Sequence, residues 1–443
     1  MQRLIIILLV FSFFGSLRGQ ERTDFSYFDS LTYKQYEDGR WKELTESGKK
    51  ALRLEHDYYY MRMRIGISYY ERKSYLNAIK HFRKALEFNN NDQVATEYLY
   101  YSYLLSGKYY TADAWTAMFR KALSQKTGIS TARTNRLSVD YLYNWSESED
   151  IINYFLSTNG FVEPGNMIIP VSYSNIGVTM YNSPSPGFNL KHSLSYLNRE
   201  NSLFTSDGID SYSDYRQKVN QFQYYISAII SNTSGLTFTP SVYYIYTSYS
   251  LIGFATSGMN TYAYLIPVKE NNIGAGAEID YSTGLFDIYL DGYASRLGYR
   301  SHFQGGGGLI FYPLTNNHLY FGAGYYIKIS EIEGGYGRSN VFKAMTGISA
   351  NNKFYIDFAL LAGDMENYID GSSQLVYNGI NEIDRVIKAD ISIPVKDSGV
   401  ILYLGSRYTS EYSAFLPADY YYSTASEKRF NSLSFIGGLS WTF

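Results

Sequence analysis

The chain has 443 residues and not one cysteine. That excludes a disulfide scaffold, a thiolate metal site and cysteine redox chemistry. Proline is scarce, at 9 residues. Charge is scarce and balanced: charged residues make up 18%, with 39 Lys and Arg against 41 Asp and Glu. A net charge of −2 offers no basic footprint for nucleic acid. No later stretch reaches about 18 consecutive apolar residues, so no transmembrane helix is expected. The five histidines, at 56, 81, 192, 302 and 318, lack metal spacing such as HExxH. No Walker or Rossmann fingerprint occurs, and no Ser-containing motif supports a barrel lipase. The expectation is therefore no catalytic residue, no metal, no cofactor and no enzyme. What the chain does have is tyrosine, 49 of them, and 45% hydrophobic residues, enough to bury a core.

Met1-Gln2-Arg3 supplies a short positive start, and residues 4–14 are apolar except for Ser12. Gly15, Ser16 and Gly19 then suit a signal peptidase. The apolar run is too short for a hydrocarbon core of about 30 Å. The segment 1–19 is read as a secretory signal peptide. No cysteine follows it to carry a lipid anchor. A secreted, cysteine-free, tyrosine-rich chain points to a bacterial envelope.

From about 27 to 124 the apolar spacing is helical. Gly66, Tyr69, Ala78, Phe82 and Ala85 have the pattern that lets two antiparallel helices pack closely, small residues permitting approach and rings filling the layer. The pattern recurs at 34 residues: Leu44, Ala78 and Ala112 are equivalent, as are Ala51, Ala85 and Phe119. Gly39-Arg40-Trp41 and Gly107-Lys108-Tyr109 mark equivalent turns, with Lys73-Ser74-Tyr75 in the middle copy. This resembles the tetratricopeptide repeat, about three copies over 20–125, with 126–133 as a linker. The resemblance implies a groove presenting Tyr33, Tyr36, Tyr60, Met63, Tyr70, Glu97 and Tyr101 to a partner protein. Tyrosine anchors interfaces well. The alternative is that several of these rings only pack between repeats.

From 134 to 443 the period becomes two. Phe286, Ile288 and Leu290 alternate with Asp287, Tyr289 and Asp291; Phe354, Ile356, Phe358 and Leu360 alternate with Tyr355, Asp357 and Ala359. Such strands fit a soluble sandwich or a membrane barrel. Length, turn asymmetry and the chain end favour the barrel. The strands run about 10 to 14 residues, where a tilted membrane strand needs about 9 to 11. Short turns alternate with long connections at 199–218, 249–271, 330–338, 364–381 and 410–429, broken once by a short one near 296–299. The end, Leu439-Ser440-Trp441-Thr442-Phe443, resembles the insertion signal of bacterial outer-membrane proteins, which gives Trp441 and Phe443 that role. Thirteen strands from 167 onward and one near 134–144 make fourteen, the even number of bacterial barrels. Twelve is the alternative if 134–181 stays outside the wall. An even number places the repeats and the C-terminus together in the periplasm.

Alternation assigns Glu278, Asp280, Asp287, Asp291, Lys343, Asp357, Lys388, Asp390 and Arg407 to the lumen. Mixed signs favour cross-strand pairing; the functional alternative is a selective pore with an acidic patch. Gly305–Gly308, with Gly322 and Gly324, make room for bulky tyrosines.

The order of signal peptide, repeats and barrel, with the segment Gly165–Ser174, Val376-Tyr377-Asn378 and the Trp441–Phe443 end, resembles the YaiO-like outer-membrane proteins of Bacteroidetes. More distantly it resembles the repeat-plus-barrel polysaccharide exporters. The fold class expected is α + β multidomain: an α-solenoid followed by an antiparallel transmembrane β-barrel. The resemblance implies an assembly or anchoring component, whose repeats dock a periplasmic or outer-membrane protein. Its other partners would be outer-membrane lipid and, during insertion, the barrel-assembly machinery. The alternative is a channel or exporter for a polysaccharide or small solute.

Overall fold

A computed structural model describes residues 24–117, 135–146, 165–206, 211–257, 260–332, 334–350, 353–370, 375–376, 382–414, 416–417 and 427–443. The expected signal peptide (1–19) and linker (126–133) lie outside the described residues. Two compact units divide the chain between Ser102 and Tyr103. This division falls earlier than the change of period, so helical sequence from 103 onward belongs to the unit that contains the barrel.

The first unit holds helices α1 (Phe25–Glu37), α2 (Trp41–Arg53), α3 (Tyr59–Glu71), α4 (Tyr75–Phe88) and most of α5 (Gln93–Leu105). Close packing explains its small residues. A Cβ on Gly66 would lie 2.6 Å from the Phe82 ring, so only glycine lets α3 and α4 approach this closely. Leu44, Ala78, Phe82 and Ala85 are fully buried, and Tyr69 stacks on His81 with centroids 5.5 Å apart. Burial and the Arg62 guanidinium hold the His81 imidazole down, to a pKa of about 3.

Three turns repeat the same geometry. Gly39, Lys73 and Gly107 have φ of +67°, +58° and +82°. Their amides donate to the carbonyls of Tyr36, Tyr70 and Leu104. The next amides, of Arg40, Ser74 and Lys108, donate to Gln35, Tyr69 and Tyr103. This closes each helix by a Schellman motif at every thirty-fourth residue. Lys73 adopts the left-handed conformation without glycine, at a cost of about 1 kcal/mol.

The second unit begins with the rest of α5 and a helical segment α6 (109–117). Its strands are β1 (Asn135–Ser146), β2 (Gly165–Ser185), β3 (Phe188–Ser206), β4 (Ser211–Ser231), β5 (Leu236–Ser257), β6 (Asn260–Thr283) and β7 (Phe286–Leu297). They continue as β8 (Arg300–Phe311), β9 (Leu319–Ile332), β10 (Gly335–Ala350), β11 (Phe354–Gly363), β12 (Glu382–Pro394), β13 (Val400–Ala414) and β14 (Glu427–Thr442). Each pairs antiparallel with its neighbours in chain order. The ring closes because Val139 of β1 lies opposite both Val178 of β2 and Leu439 of β14. The wall therefore has fourteen strands and no free edge.

Its outer face is apolar. Leu290, Leu404 and Leu439 are 59%, 57% and 54% exposed, and Phe222, Phe321, Phe342 and Phe358 stand on the same face. Water would not favour this belt; hydrocarbon would. The chain is an outer-membrane-type β-barrel.

The wall corrects one expectation. Much of 199–218, 249–271 and 330–338 is paired strand rather than loop: β3 and β4 pair to Ser206 and Ser211, β5 and β6 to Ser257 and Asn260, and β9 and β10 to Ile332 and Gly335. Beyond the membrane both strand faces meet water, so the period-two apolar signal fades while the ladder persists. The short connection near 296–299 is as expected. It is a two-residue turn, Gly298-Tyr299, with φ of +56° and +67°. Positive φ at both central residues is the type I′ requirement.

Candidate functional site

The lumen is divided. On one side it is filled. Glu278 of β6 lies opposite Asp291 of β7, Asp280 opposite Tyr289, and Ser282 opposite Asp287. The alternate residues Ile279, Tyr281, Phe286, Ile288 and Leu290 face outward, so these four acids face inward. Tyr289 and Tyr326 pack over them, and glycines make the space. A Cβ on Gly306 would lie 2.4 Å from the Tyr326 ring, and one on Gly308 or Gly324 would lie 2.5 Å from the Tyr289 hydroxyl.

A segment after β11 completes the filling. Its length in the sequence, 364–381, suggests one of the long connections between strands. Within it, Met365, Tyr368 and Ile369 are buried against Val341, Leu361 and Val386 or neighbouring tyrosines of the inner wall. Gln304 of β8 grips its backbone twice, donating to the Ile369 carbonyl at 2.8 Å and accepting from the Ile369 amide at 2.9 Å. Lys328 donates to Asp364 at 3.3 Å and to the Glu366 carbonyl. Asp370 is buried between two lysines, accepting from Lys343 at 2.9 Å and from Lys388. Asp370 stands out in the sequence only as a carboxylate of a long connection, not as a lumen residue, although a signal is present: three large residues within 365–369, Met365, Tyr368 and Ile369, do not suit a connection in water. A small cavity of about 170 Å³ remains among Glu278, Asp280, Asp291, Tyr326, Tyr368 and Asp370.

The other side of the lumen is open, with a cavity of about 1750 Å³. It is bordered by β12, β13, β14, β1, β2 and β3, with contributions from β4 to β6. Its lining is largely hydroxyl, amide and charged: Ser195, Asn201, Gln221, Thr247, Arg199 and Glu411 are representative. Arg407 and Lys388 line it. Asp357 and Asp390 accept hydrogen bonds from Tyr320 and Tyr403, each at 2.6 Å.

Segment α6 lies across the short-turn end of the same unit. Lys108 donates to Asp287 of β7 and, at 3.2 Å, to the Tyr312 hydroxyl; Tyr312 donates to Asp287 at 2.7 Å. Asp113 accepts from the Gly187 amide at 2.8 Å and from Asn189 at 3.3 Å. Trp115 donates from Nε1 to the Thr233 carbonyl at 3.2 Å. Burial draws the Lys108 amine below its ordinary range, opposed by Asp287. Asp287 was expected in the lumen wall; its bond to the helical segment was not legible in the sequence.

The expected partner groove is only partly open. Tyr33, Tyr36 and Tyr60 are exposed, Tyr60 by 62%. Tyr70, Glu97 and Tyr101 are half-buried, and Met63 is buried. Met63 presents little to a partner, because α3 is surrounded by its neighbours on most sides. Tyr33 lies under the Arg64 guanidinium at 5.3 Å, and Tyr70 meets Tyr75 and Tyr98 edge-on. Trp441 and Phe443 are both exposed, their rings 5.6 Å apart, and Phe443 exchanges backbone hydrogen bonds with Asn135. Among the described residues no group of three or more His, Asp or Glu could hold a metal ion.

No protein-family model matches the chain, and no curated protein matches it in sequence. Among solved structures it is similar to the Pseudomonas putida toluene transporter TodX, at 9% identity, covering 72% of this chain and 92% of that one, with a TM-score of 0.46. A Pseudomonas aeruginosa FadL homologue is similar at 8% identity, covering 70% and 90%, with a TM-score of 0.42. Salmonella typhi OmpF, in complex with daunomycin, is similar at 9% identity, covering 70% and 97%, with a TM-score of 0.30.

Proposed function

We propose that the chain is an outer-membrane channel for a hydrophilic solute and not an enzyme. The observation that carries this reading is the open half of the lumen. Its lining on β13 runs from Ile401 to Glu411, about 33 Å of strand. That length matches a tilted crossing of an apolar band roughly 25 Å tall. Hydroxyl, amide and charged groups run along this wall between aliphatic side chains such as Leu142, Leu197 and Val219, and they can hold a hydrated solute. The short-turn end, with α6 and the C-terminus, is the periplasmic end. The 34-residue recurrence of helix closures supports a tetratricopeptide-like region that recruits periplasmic machinery, and with it the YaiO-like architecture.

Planar-bilayer conductance of the purified full chain tests the channel. Discrete single-channel steps are expected, and deleting residues 20–125 should raise their size by removing α6. A barrel that inserts and never conducts would reject the reading. Docking of a partner protein is the second reading, favoured by the exposed rings of Tyr33, Tyr36 and Tyr60. Replacing all three with alanine should remove a cross-linked periplasmic partner while leaving conductance unchanged.

A further inference from the structure

The outward face of the wall carries one arrangement four times, at the long-strand end. Tyr196 of β3 donates to Asn220 of β4 at 2.8 Å, and Tyr244 of β5 to Asn271 of β6 at 2.6 Å. Tyr325 of β9 donates to Asn340 of β10 at 2.8 Å, and Tyr408 of β13 to Asn431 of β14 at 2.7 Å. Each tyrosine is exposed and lies opposite a large apolar residue: Phe222, Ile273, Phe342 and Leu433 in turn. Each asparagine stands ten to twelve residues from the short-turn end of its strand. A tilted membrane crossing takes about 9 to 11. The four pairs therefore mark the level where the apolar belt meets water, with the ring in the belt and the amide at the interface.

Two residues further from the short turns, on the same strand face, each asparagine is matched by a cation: Lys218, Lys269, Arg338 and Arg429. All four are exposed. Arg429 is paired with Asp384 and stands over the Tyr412 ring, so its charge is met within the wall. Lys218, Lys269 and Arg338 have no side-chain hydrogen bond or ion pair among the described residues. The acids beside them are engaged by other groups. Glu200, opposite Lys218, is 3.4 Å from Arg216. Glu270 lines the lumen and accepts from Tyr249 at 2.7 Å. Glu331 accepts from the Ser301 amide at 3.0 Å and interacts with Arg296 and Arg300. The first two sites adjoin: the register sets Asn198, Asn220, Ser248 and Lys269 in one row across β3 to β6, and Asn198 donates to Asn220 at 2.9 Å. The row spans three strand spacings, about 14 Å. The short-turn rim differs, with Phe286 and Phe311 stacked at 5.1 Å and Trp441 beside Phe443.

We propose that Lys218, Lys269 and Arg338, with the Tyr–Asn pairs beside them, bind a phosphorylated glycolipid of the outer leaflet. The cations take phosphate by charge-assisted hydrogen bonds. The row from Asn198 to Lys269 takes the hydroxyls of the sugar head, and the acyl chains run down Phe222, Ile273 and Phe342. A head of sugar and phosphate fills a row of amide, hydroxyl and ammonium groups this wide, whereas a lone phosphodiester needs only one cation. The site rests on the orientation read above, with the short turns in the periplasm.

Native mass spectrometry of the detergent-purified full chain tests it, with monophosphoryl lipid A as the probe. Phosphatidylglycerol, phosphate without the sugar, and monoglucosyl diacylglycerol, sugar without the phosphate, are the controls. Lipid A should bind roughly tenfold or more tightly than either. Lys218→Gln with Lys269→Gln and Arg338→Gln should weaken lipid A binding roughly tenfold or more and leave the neutral glycolipid unchanged. Lys218→Arg with Lys269→Arg, which keeps the charge, should retain most of the affinity; heat-modifiable gel mobility verifies folding of both variants. Phosphatidylglycerol binding as tightly as lipid A, or an unchanged affinity in the glutamine variant, would overturn the site. Orientation is read separately. The chain has no cysteine, so Tyr264→Cys, at an exposed position of β6 beyond the row, should react with a membrane-impermeant maleimide on intact cells. An unlabelled variant would overturn the orientation and the leaflet with it, whereas labelling without lipid A binding would sink the site alone. Lipid binding needs no current, so a non-conducting barrel that still binds lipid A would leave the site standing and reject only the channel.

Discussion

In the helical unit large apolar side chains turn inward: Leu44, Ile65 and Phe82 have no exposed surface. In the barrel they turn outward, and Leu290, Leu404 and Leu439 are each more than half exposed. One rule produces both arrangements. Apolar surface avoids water, and in the barrel the apolar phase lies outside the protein. The polar interior that results must then satisfy itself. It does so with tyrosine hydroxyls on carboxylates, lysines on Asp370 and glycines under rings. The two regions should therefore respond in opposite ways to the same kind of substitution.

The largest effect is expected in the helical unit. Phe82→Ala should cost about 3–5 kcal/mol, since the ring fills the space above Gly66. Protease sensitivity at 24–102 should rise sharply while the barrel keeps its heat-modifiable mobility. Loss of both would mean the units do not fold independently. Lys108→Ala breaks a buried pair and leaves Asp287 without its cation, an effect of about 3 kcal/mol or more. Residues 103–117 should become protease-accessible and conductance should rise. Conductance and cleavage unmoved would show that this pair does not hold α6 against the turns.

Leu290→Arg puts a charge on the lipid-facing belt, where the cost is about 2–4 kcal/mol. The amount of heat-modifiable barrel should fall, whereas a charge at the exposed helical position Tyr60 should change little. Acid should affect the helical unit through His81. Its imidazole is neutral in the folded state, with a pKa of about 3 against an ordinary 6.5. As pH falls below 6.5 the unfolded state takes up the proton first, so stability is lost until about pH 3. At pH 4 the loss approaches about 3 kcal/mol. Arg62, Lys80 and Lys49 raise the cost of protonating His81, and Asp57 lowers it. Helical circular dichroism of the full chain against pH, compared with His81→Gln, checks this; an equally acid-labile glutamine variant would assign the loss to other groups. The smallest effect is on yield. Deleting Phe443 should lower the amount of barrel in the outer membrane, and unchanged levels would remove the insertion role given to Trp441 and Phe443.

Much of the wall was legible because alternation is a local property. All fourteen strands, and the inward placement of Asp287, Asp357, Lys388 and Arg407, follow from the period of two. Strand ends were less legible at the long-strand end, since a ladder in water needs no apolar face. The filling segment was misread for a different reason. Met365, Tyr368 and Ile369 have no partner within reach in the sequence; their partners are Tyr326, Val341 and the side chain of Gln304. The groove residues show the same limit, since Met63 shares a helix face with Tyr60 yet is buried by neighbouring helices.

The sequence by itself determined the two periods, the 34-residue recurrence and the apolar outside of the barrel. Each is written in the spacing of neighbouring residues along one element, and solvent then selects the face. Only the tertiary structure decided what the lumen contains. Which wall is covered, which cations share a level and which helical segment meets the turns depend on register and closure between residues far apart in the chain. Asp370 and Lys343 are 27 residues apart, and Lys108 and Asp287 are 179 apart. No local pattern encodes such pairs, because their energy exists only once the ring of strands has closed around them.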